Sequence, residues 1–167
     1  GFEGRLSYCF RKEFRNEGVG VMPNWTENKL QVDGTKEECE KFLAHMGEEM
    51  DFEKVIPSPK DMFKGNFGDE ERKLCEEKGI PNWLDWQSDN WGTKWNACRT
   101  EPVQIDVYPE LSGKFMTLTY KFITAWDTPR PVIAKLWEQW PDLFFGGGYL
   151  HEGYEGCGNF GEFKNCD

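Results

Sequence analysis

From Lys29 onward apolar and polar positions alternate, with Leu30 and Val32 set against Lys29, Gln31 and Asp33. This is the period-two pattern of a strand with one buried face, and Asp33-Gly34 closes it. Thr35 then stands where an N-cap belongs and Glu38 three residues on completes a capping-box signature, so a helix is expected over 36–46. On that helix Cys39, Phe42, Leu43 and Met46 share one stripe, leaving Lys36, Glu37, Glu40 and Lys41 outside. Phe52, Val55 and Ile56 predict a second short strand, ended by Pro57-Ser58-Pro59 because proline cannot donate to a ladder. A loop over about 58–69 leads into a charged, exposed helix over 69–78, which Gly79 stops. After Pro81 a helix over about 82–90 brings Trp83, Trp86 and Asn90 together at spacings of three and four.

The next alternation, Val103, Ile105 and Val107 against Gln104, Asp106 and Tyr108, is followed by the turn residues Pro109 to Gly113 and a long run from Lys114 to Trp126, which predicts a hairpin. Asp127 or Thr128 is placed to cap a further helix, with Pro129 and Pro131 in its first turn, where their missing N–H groups are not needed. Val132, Ile133, Leu136, Trp137 and Trp140 give its buried stripe. Leu143 to Phe145 starts a last strand, Gly146-Gly147-Gly148 interrupts it as a bulge or flexible connection, and Tyr149 to Glu152 resumes it. With residues 58–96 set aside as a helical insertion, the order is close to βαββαβ. The expected fold class is therefore α+β, a ferredoxin-like antiparallel sheet with helices on one face and a Trp-rich helical insertion. Residues 1–21, with Gly at 1, 4, 18 and 20 and no sustained period, read as an N-terminal arm, and 22–167 as a single domain.

Composition narrows the function classes. A net charge of −10 over 167 residues opposes a phosphate backbone, so nucleic acid is not expected as a partner, whereas an acidic exterior suits a basic protein. No run is long enough to cross a bilayer and no basic segment leads an apolar one, so membrane association is not expected and the location is expected to be cytoplasmic. The six cysteines, at 9, 39, 75, 98, 157 and 166, lack the close pairing of a zinc site, and neither a metal nor a cofactor is expected. Nucleophile-elbow, phosphate-loop and metalloprotease-helix patterns are absent from the sequence, which points away from catalysis.

Half of the eight tryptophans fall within residues 83–95. Trp86, Asn90, Trp91, Lys94, Trp95 and Asn96 read either as an aromatic-walled pocket with amide groups for a planar ligand, or as a wedge seating the insertion on the sheet, with Asn90 and Asn96 capping the turn around Gly92. Trp126, Tyr149 and Glu152, at strand ends, are further candidates for the same site. Met22-Pro-Asn-Trp-Thr-Glu-Asn-Lys-Leu-Gln-Val-Asp-Gly34, Ile56-Pro-Ser-Pro, Asp85-Trp86, Asn90-Trp-Gly-Thr-Lys-Trp-Asn96, Thr124-Ala-Trp126, and Tyr149 with Glu152-Gly153 occur in that order. Together they resemble the YubB-like family of plasmid, phage and other mobile-element proteins, over roughly residues 22–160. The resemblance implies a ferredoxin-like domain with a helical insert and no established biochemical activity. Family members look as though they begin at the position of Met22, and Thr26 stands where many carry a Cys. The expected function is a non-catalytic binding module of a mobile element, acting on a protein partner through an acidic or aromatic surface. The alternative is a small enzyme or small-molecule binder using the cluster around Asn90–Asn96.

Overall fold

Eleven residues, Trp25–Thr35, form β1, the strand on which the rest of the structure is assembled. The computed structural model describes residues 24–152 and 156–164, and the arm expected at 1–21 lies outside them. Among the described residues the chain continues through α1 (Lys36–Met46), a 3-10 turn (Phe52–Lys54), α2 (Asp69–Lys78), α3 (Trp83–Asn90), β2 (Gln104–Val107), β3 (Phe115–Ala125), α4 (Arg130–Gln139), β4 (Phe144–His151) and β5 (Cys157–Asn159). The architecture is α+β. Five strands lie in the order β2-β3-β1-β4-β5, each antiparallel to its neighbours. No helix among the described residues is long and apolar enough to cross a membrane.

Alternation along β1 sends Thr26, Asn28, Leu30 and Val32 to one face, where the register sets Leu30 between Tyr120 and Gly147, and Val32 between Leu118 and Phe145. Cys39, Phe42 and Met46 of α1 and Val132, Ile133 and Leu136 of α4 pack on these side chains to form the core. Phe42 sits at its centre, edge-on to Trp140 at 5.2 Å, Phe145 at 5.8 Å and Tyr120 at 6.0 Å, the geometry that aromatic quadrupoles favour. The helix starts where the sequence places it. Thr35 Oγ1 accepts from the Glu38 N–H at 3.2 Å, while the Glu38 carboxylate takes Lys41 Nζ at 2.9 Å.

Two ionisable groups are closed into this core. Burial, reinforced by the nearby Asp33 and Glu38 carboxylates, pushes the Cys39 thiol up to about 11, and burial also raises the Tyr120 hydroxyl, which donates to Gly47 O at 2.9 Å. An unfolded chain gives up the Cys39 proton near pH 9.0, so between pH 9 and about 11 the native state binds more protons than the unfolded one. Stability is therefore full below that window and falls as pH rises through it, by on the order of 2 kcal/mol from this thiol. Urea midpoints measured from pH 8 to 11 are expected to decline, and more shallowly in a Cys39→Ala variant; identical slopes would remove the thiol from the account.

Three sequence expectations are corrected. Residues 52–56 are not a strand. Asp51 Oδ1 accepts from Glu53 N at 3.0 Å, and Val55 N and Ile56 N both return to Phe52 O, at 3.0 and 2.9 Å, so the segment closes into a turn that drops Phe52 and Val55 into the core. Nor do the three glycines break the last strand. The β1–β4 register runs unbroken from Thr26 opposite His151 to Asp33 opposite Phe144. Gly147 holds φ at +83°, and a Cβ there would lie 2.0 Å from Lys29 O, so glycine is what lets the two backbones approach. The start of α4 also differs. Pro129 occupies the N-cap position, and the Asp127 carboxylate instead accepts from Thr128 N at 2.7 Å.

Beyond β2, the free side of β3 is followed by the stretch that leaves α3. Glu101 N donates to Lys121 O at 2.9 Å, Cys98 and Ile123 exchange two bonds of 2.8 Å, and Lys94 N donates to Ala125 O at 3.2 Å. This pairing carries the second half of the Trp-rich segment to the end of the sheet where β1 begins and β3 and β4 finish.

Candidate functional site

The Trp-rich segment divides into an inner and an outer part. Trp91 is 1 % exposed, its indole N–H donates to Ile56 O at 2.9 Å, and it stands edge-on to Trp86 at 5.3 Å and to Phe52 at 5.8 Å. Asn90 Nδ2 donates to Trp86 O at 2.9 Å. Asn96 is a two-sided clamp: its Oδ1 accepts from Phe52 N and Ala97 N, both at 2.8 Å, and its Nδ2 donates to Asp51 Oδ1 at 2.9 Å. Asn90, Trp91 and Asn96 thus spend polar groups on the chain itself, and Trp86 packs its ring against Trp91, fastening the helical segment to the core. Asn96 fastens the Asp51–Phe52 turn, not the turn at Gly92 to which the sequence assigned it. Farther out, Asp85 joins α3 to α2 by accepting from Asn82 Nδ2 and from Arg72; these two interactions, opposed by partial burial, hold its carboxyl below the usual range.

The outer part is an aromatic surface with cations against its rings, Arg99 partly exposed and Lys94 buried. Lys94 Nζ lies 4.6 Å from the centre of the Trp95 ring and 5.6 Å from that of Trp126, Arg99 lies 5.3 Å over Trp25, and Trp25 meets Trp95 at 6.1 Å. Trp126 is 44 % exposed. Its φ is +79° and that of Arg99 is +46°, a left-handed backbone that side chains other than glycine enter at a cost of about 1–3 kcal/mol. Strain of this kind persists only where the surroundings hold it, and here it sits at both flanks of one surface.

Beside the indoles, the end of β4 supplies a polar margin. Glu152 Oε2 accepts from Trp25 N at 3.2 Å, His151 Nδ1 lies 2.8 Å from Thr26 Oγ1, and His151 Nε2 lies 3.5 Å from Asp127 Oδ1. Arg130 Nη2 donates to the Tyr149 hydroxyl at 2.9 Å, with the guanidinium 4.8 Å over the Phe163 ring, on which Tyr149 stacks. A carboxylate, an imidazole and a hydroxyl in a row invite a catalytic reading, but Thr26 is fully buried. Around it runs a closed network: Asn28 Nδ2 donates to Thr26 O and Thr124 Oγ1, Thr128 Oγ1 donates to Asn28 Oδ1 at 2.8 Å, and Thr124 Oγ1 donates to Asp127 O at 2.6 Å. No substrate reaches that hydroxyl, and the row is the rim of a satisfied polar core that fixes the turn carrying Trp126 and Asp127.

Of the residues singled out from the sequence, Lys94, Trp95, Trp126, Tyr149 and Glu152 gather at this end of the sheet, while Trp86, Asn90, Trp91 and Asn96 serve the interior. Trp25, Arg99, Asp127, Arg130 and His151 complete the surface and were not among the residues chosen. The pairing of Thr26 with His151, which brings β4 to the start of β1, is a long-range register that no local pattern announces. Among the described residues no three His, Cys, Asp or Glu side chains come together to hold a metal ion. Comparison with protein-family models, curated proteins and solved structures finds no match to this chain.

Proposed function

We propose that this chain is a non-catalytic binding module that takes a protein partner at the Trp25–Trp95–Trp126 end of its sheet, on a ferredoxin-like platform resembling that of the YubB-like mobile-element proteins. The observation that carries the reading is Trp126, held half-exposed in a left-handed backbone beside Lys94 and Trp95. Trp, Tyr and Arg are the residues that dominate protein-binding hot spots, and this surface is built from them. The net charge of −10 steers a basic partner toward the molecule and disfavours nucleic acid. The ferredoxin-like assignment draws support from the chain order β1, α1, β2, β3, α4, β4 together with the neighbour order β2-β3-β1-β4, with α2 and α3 interpolated and β5 added. An enzyme or ligand pocket at Asn90–Asn96 is the weaker reading, because the Trp91 indole N–H and both ends of the Asn96 amide are already engaged.

The test is a comparison of the wild-type chain with Trp126→Gly as immobilised baits in a lysate of the source cells, reading retained proteins and small molecules by mass spectrometry. Glycine removes the ring and the left-handed strain together, so the two stability effects offset and unfolding free energy is expected to change by no more than about 1 kcal/mol. Expected is a protein retained by the wild type and lost, by about tenfold or more, from the folded variant. Equal retention by both baits, or stoichiometric retention of a small molecule with no protein, would refute the assignment.

A further inference from the structure

The hairpin of β2 and β3 carries Ile105, Val107, Tyr108, Leu111 and Phe115, five of the eight large apolar side chains exposed among the described residues. Ile105 is 47 % and Val107 41 % exposed, and β2 is an outermost strand of the sheet. Tyr108 N donates to Phe115 O, which makes 108 and 115 a hydrogen-bonded pair. By the alternation of an antiparallel ladder, 106 with 117 and 104 with 119 follow, so the N–H and C=O groups of Ile105 and Val107 point away from the sheet. Among the described residues the Val103 N–H is held by Glu48 O at 2.7 Å and Pro109 has none to offer, so the open N–H donors of this edge are those of Ile105 and Val107. Sheets normally blunt such an edge with lysine, proline or a bulge. Within β2 the one charge is Asp106, which accepts from Gln104 Nε2 at 3.0 Å and lies on the opposite face from Ile105 and Val107.

We propose that β2 receives an extended segment of a protein partner as an added antiparallel strand, with Lys or Arg opposite Asp106 and an apolar residue on either side, opposite Ile105 and Val107. The backbone groups of Ile105 and Val107 supply the affinity common to strand addition, and the side chains set the apolar-basic-apolar order. A second copy of this chain is the wrong occupant. Two-fold pairing through the same groups sets Ile105 against Val107 of the other copy and so places Asp106 directly on Asp106, where like charges repel, and each copy brings a net charge of −10. This edge pairs with the first half of β3, roughly 25 Å along the strand from Trp126 at the rise of an extended chain, so it is independent of the surface described above.

The probes are two capped peptides, acetyl-Ser-Thr-Val-Lys-Val-Thr-Ser-amide and the same sequence with Glu for Lys, titrated into the wild-type chain and into Asp106→Lys. Backbone amide exchange at residues 105 and 107 and chemical-shift changes are followed by NMR. The lysine peptide is expected to slow exchange at both amides and to bind wild type about tenfold more tightly than the glutamate peptide, with the preference reversed in Asp106→Lys. If Asp106→Lys does not fold, Asp106→Asn serves, and is expected to bind the two peptides equally. Failure of the lysine peptide to protect residues 105 and 107, or equal binding of both by the wild type, overturns the proposal. A wild-type chain that sediments as a dimer with those amides protected before any peptide is added also overturns it, by making a second copy the occupant.

Discussion

Gly147→Ala is expected to destabilise the protein by about 4 kcal/mol or more, enough to unfold a marginally stable domain at room temperature. The new Cβ would stand 2.0 Å from Lys29 O and 3.1 Å from Lys29 C, and both atoms belong to the backbone of β1, at the middle of the sheet. Side chains yield by changing rotamer; a carbonyl inside a ladder yields only by breaking the ladder. The φ of +83° adds the ordinary penalty of a left-handed alanine. Gly113→Ala is the control, since it has φ of +64° and no atom within 4 Å of the added carbon, so only the backbone penalty of about 1 kcal/mol applies. Urea midpoints read from tryptophan fluorescence separate the two. Comparable losses at both positions would mean that β1 and β4 do not approach as described.

Trp91→Ala is expected to cost about 3–5 kcal/mol, by removing the largest fully buried side chain of the core and leaving a cavity against Phe52 and Trp86. Trp91→Phe fills most of that volume but orphans the Ile56 carbonyl, for a loss of about 1–3 kcal/mol. Trp95→Ala, four residues on in the same motif, is expected to stay near 1 kcal/mol, because that ring lies on the outer surface and is only partly covered. Chemical denaturation of the three variants decides the matter. If Trp95→Ala proves the most damaging, the division of the motif into an interior and an exterior half is wrong.

Local rules carried the reading of the sequence furthest where the deciding contacts were local. The Thr35 cap, the stripe of Cys39, Phe42 and Met46 and the alternation on either side of the 109–113 turn each involve neighbours within a few residues, and α1 and the hairpin follow from them. Phe52, Val55 and Ile56, cut off by Pro57, look like a short strand, but Asn96, more than forty positions away, takes the Phe52 N–H and settles the segment as a turn. The three glycines look like a break because sequence shows the missing side chains and not the carbonyl that requires one of them to be missing. Trp91 and Trp95 belong to one motif and are equally conspicuous. Which of them lies inside depends on α3 ending at Asn90 and on Lys94 pairing with Ala125, neither of which the composition of the motif reveals. Trp25, His151 and Asp127 meet only because three strand ends are brought together by register.

The Asn96 clamp has a consequence for how this chain tolerates change. It holds the two ends of a segment of more than forty residues, entering at Phe52 and leaving at Asn96, within one hydrogen bond of each other. Foreign sequence spliced between Gly65 and Gly68, past the bonds that tie Phe63 to Pro81 and Trp83, would leave that neck closed and the spacing of the strands untouched. Excision of the whole segment would not be tolerated, because the indole of Trp91 leaves with it.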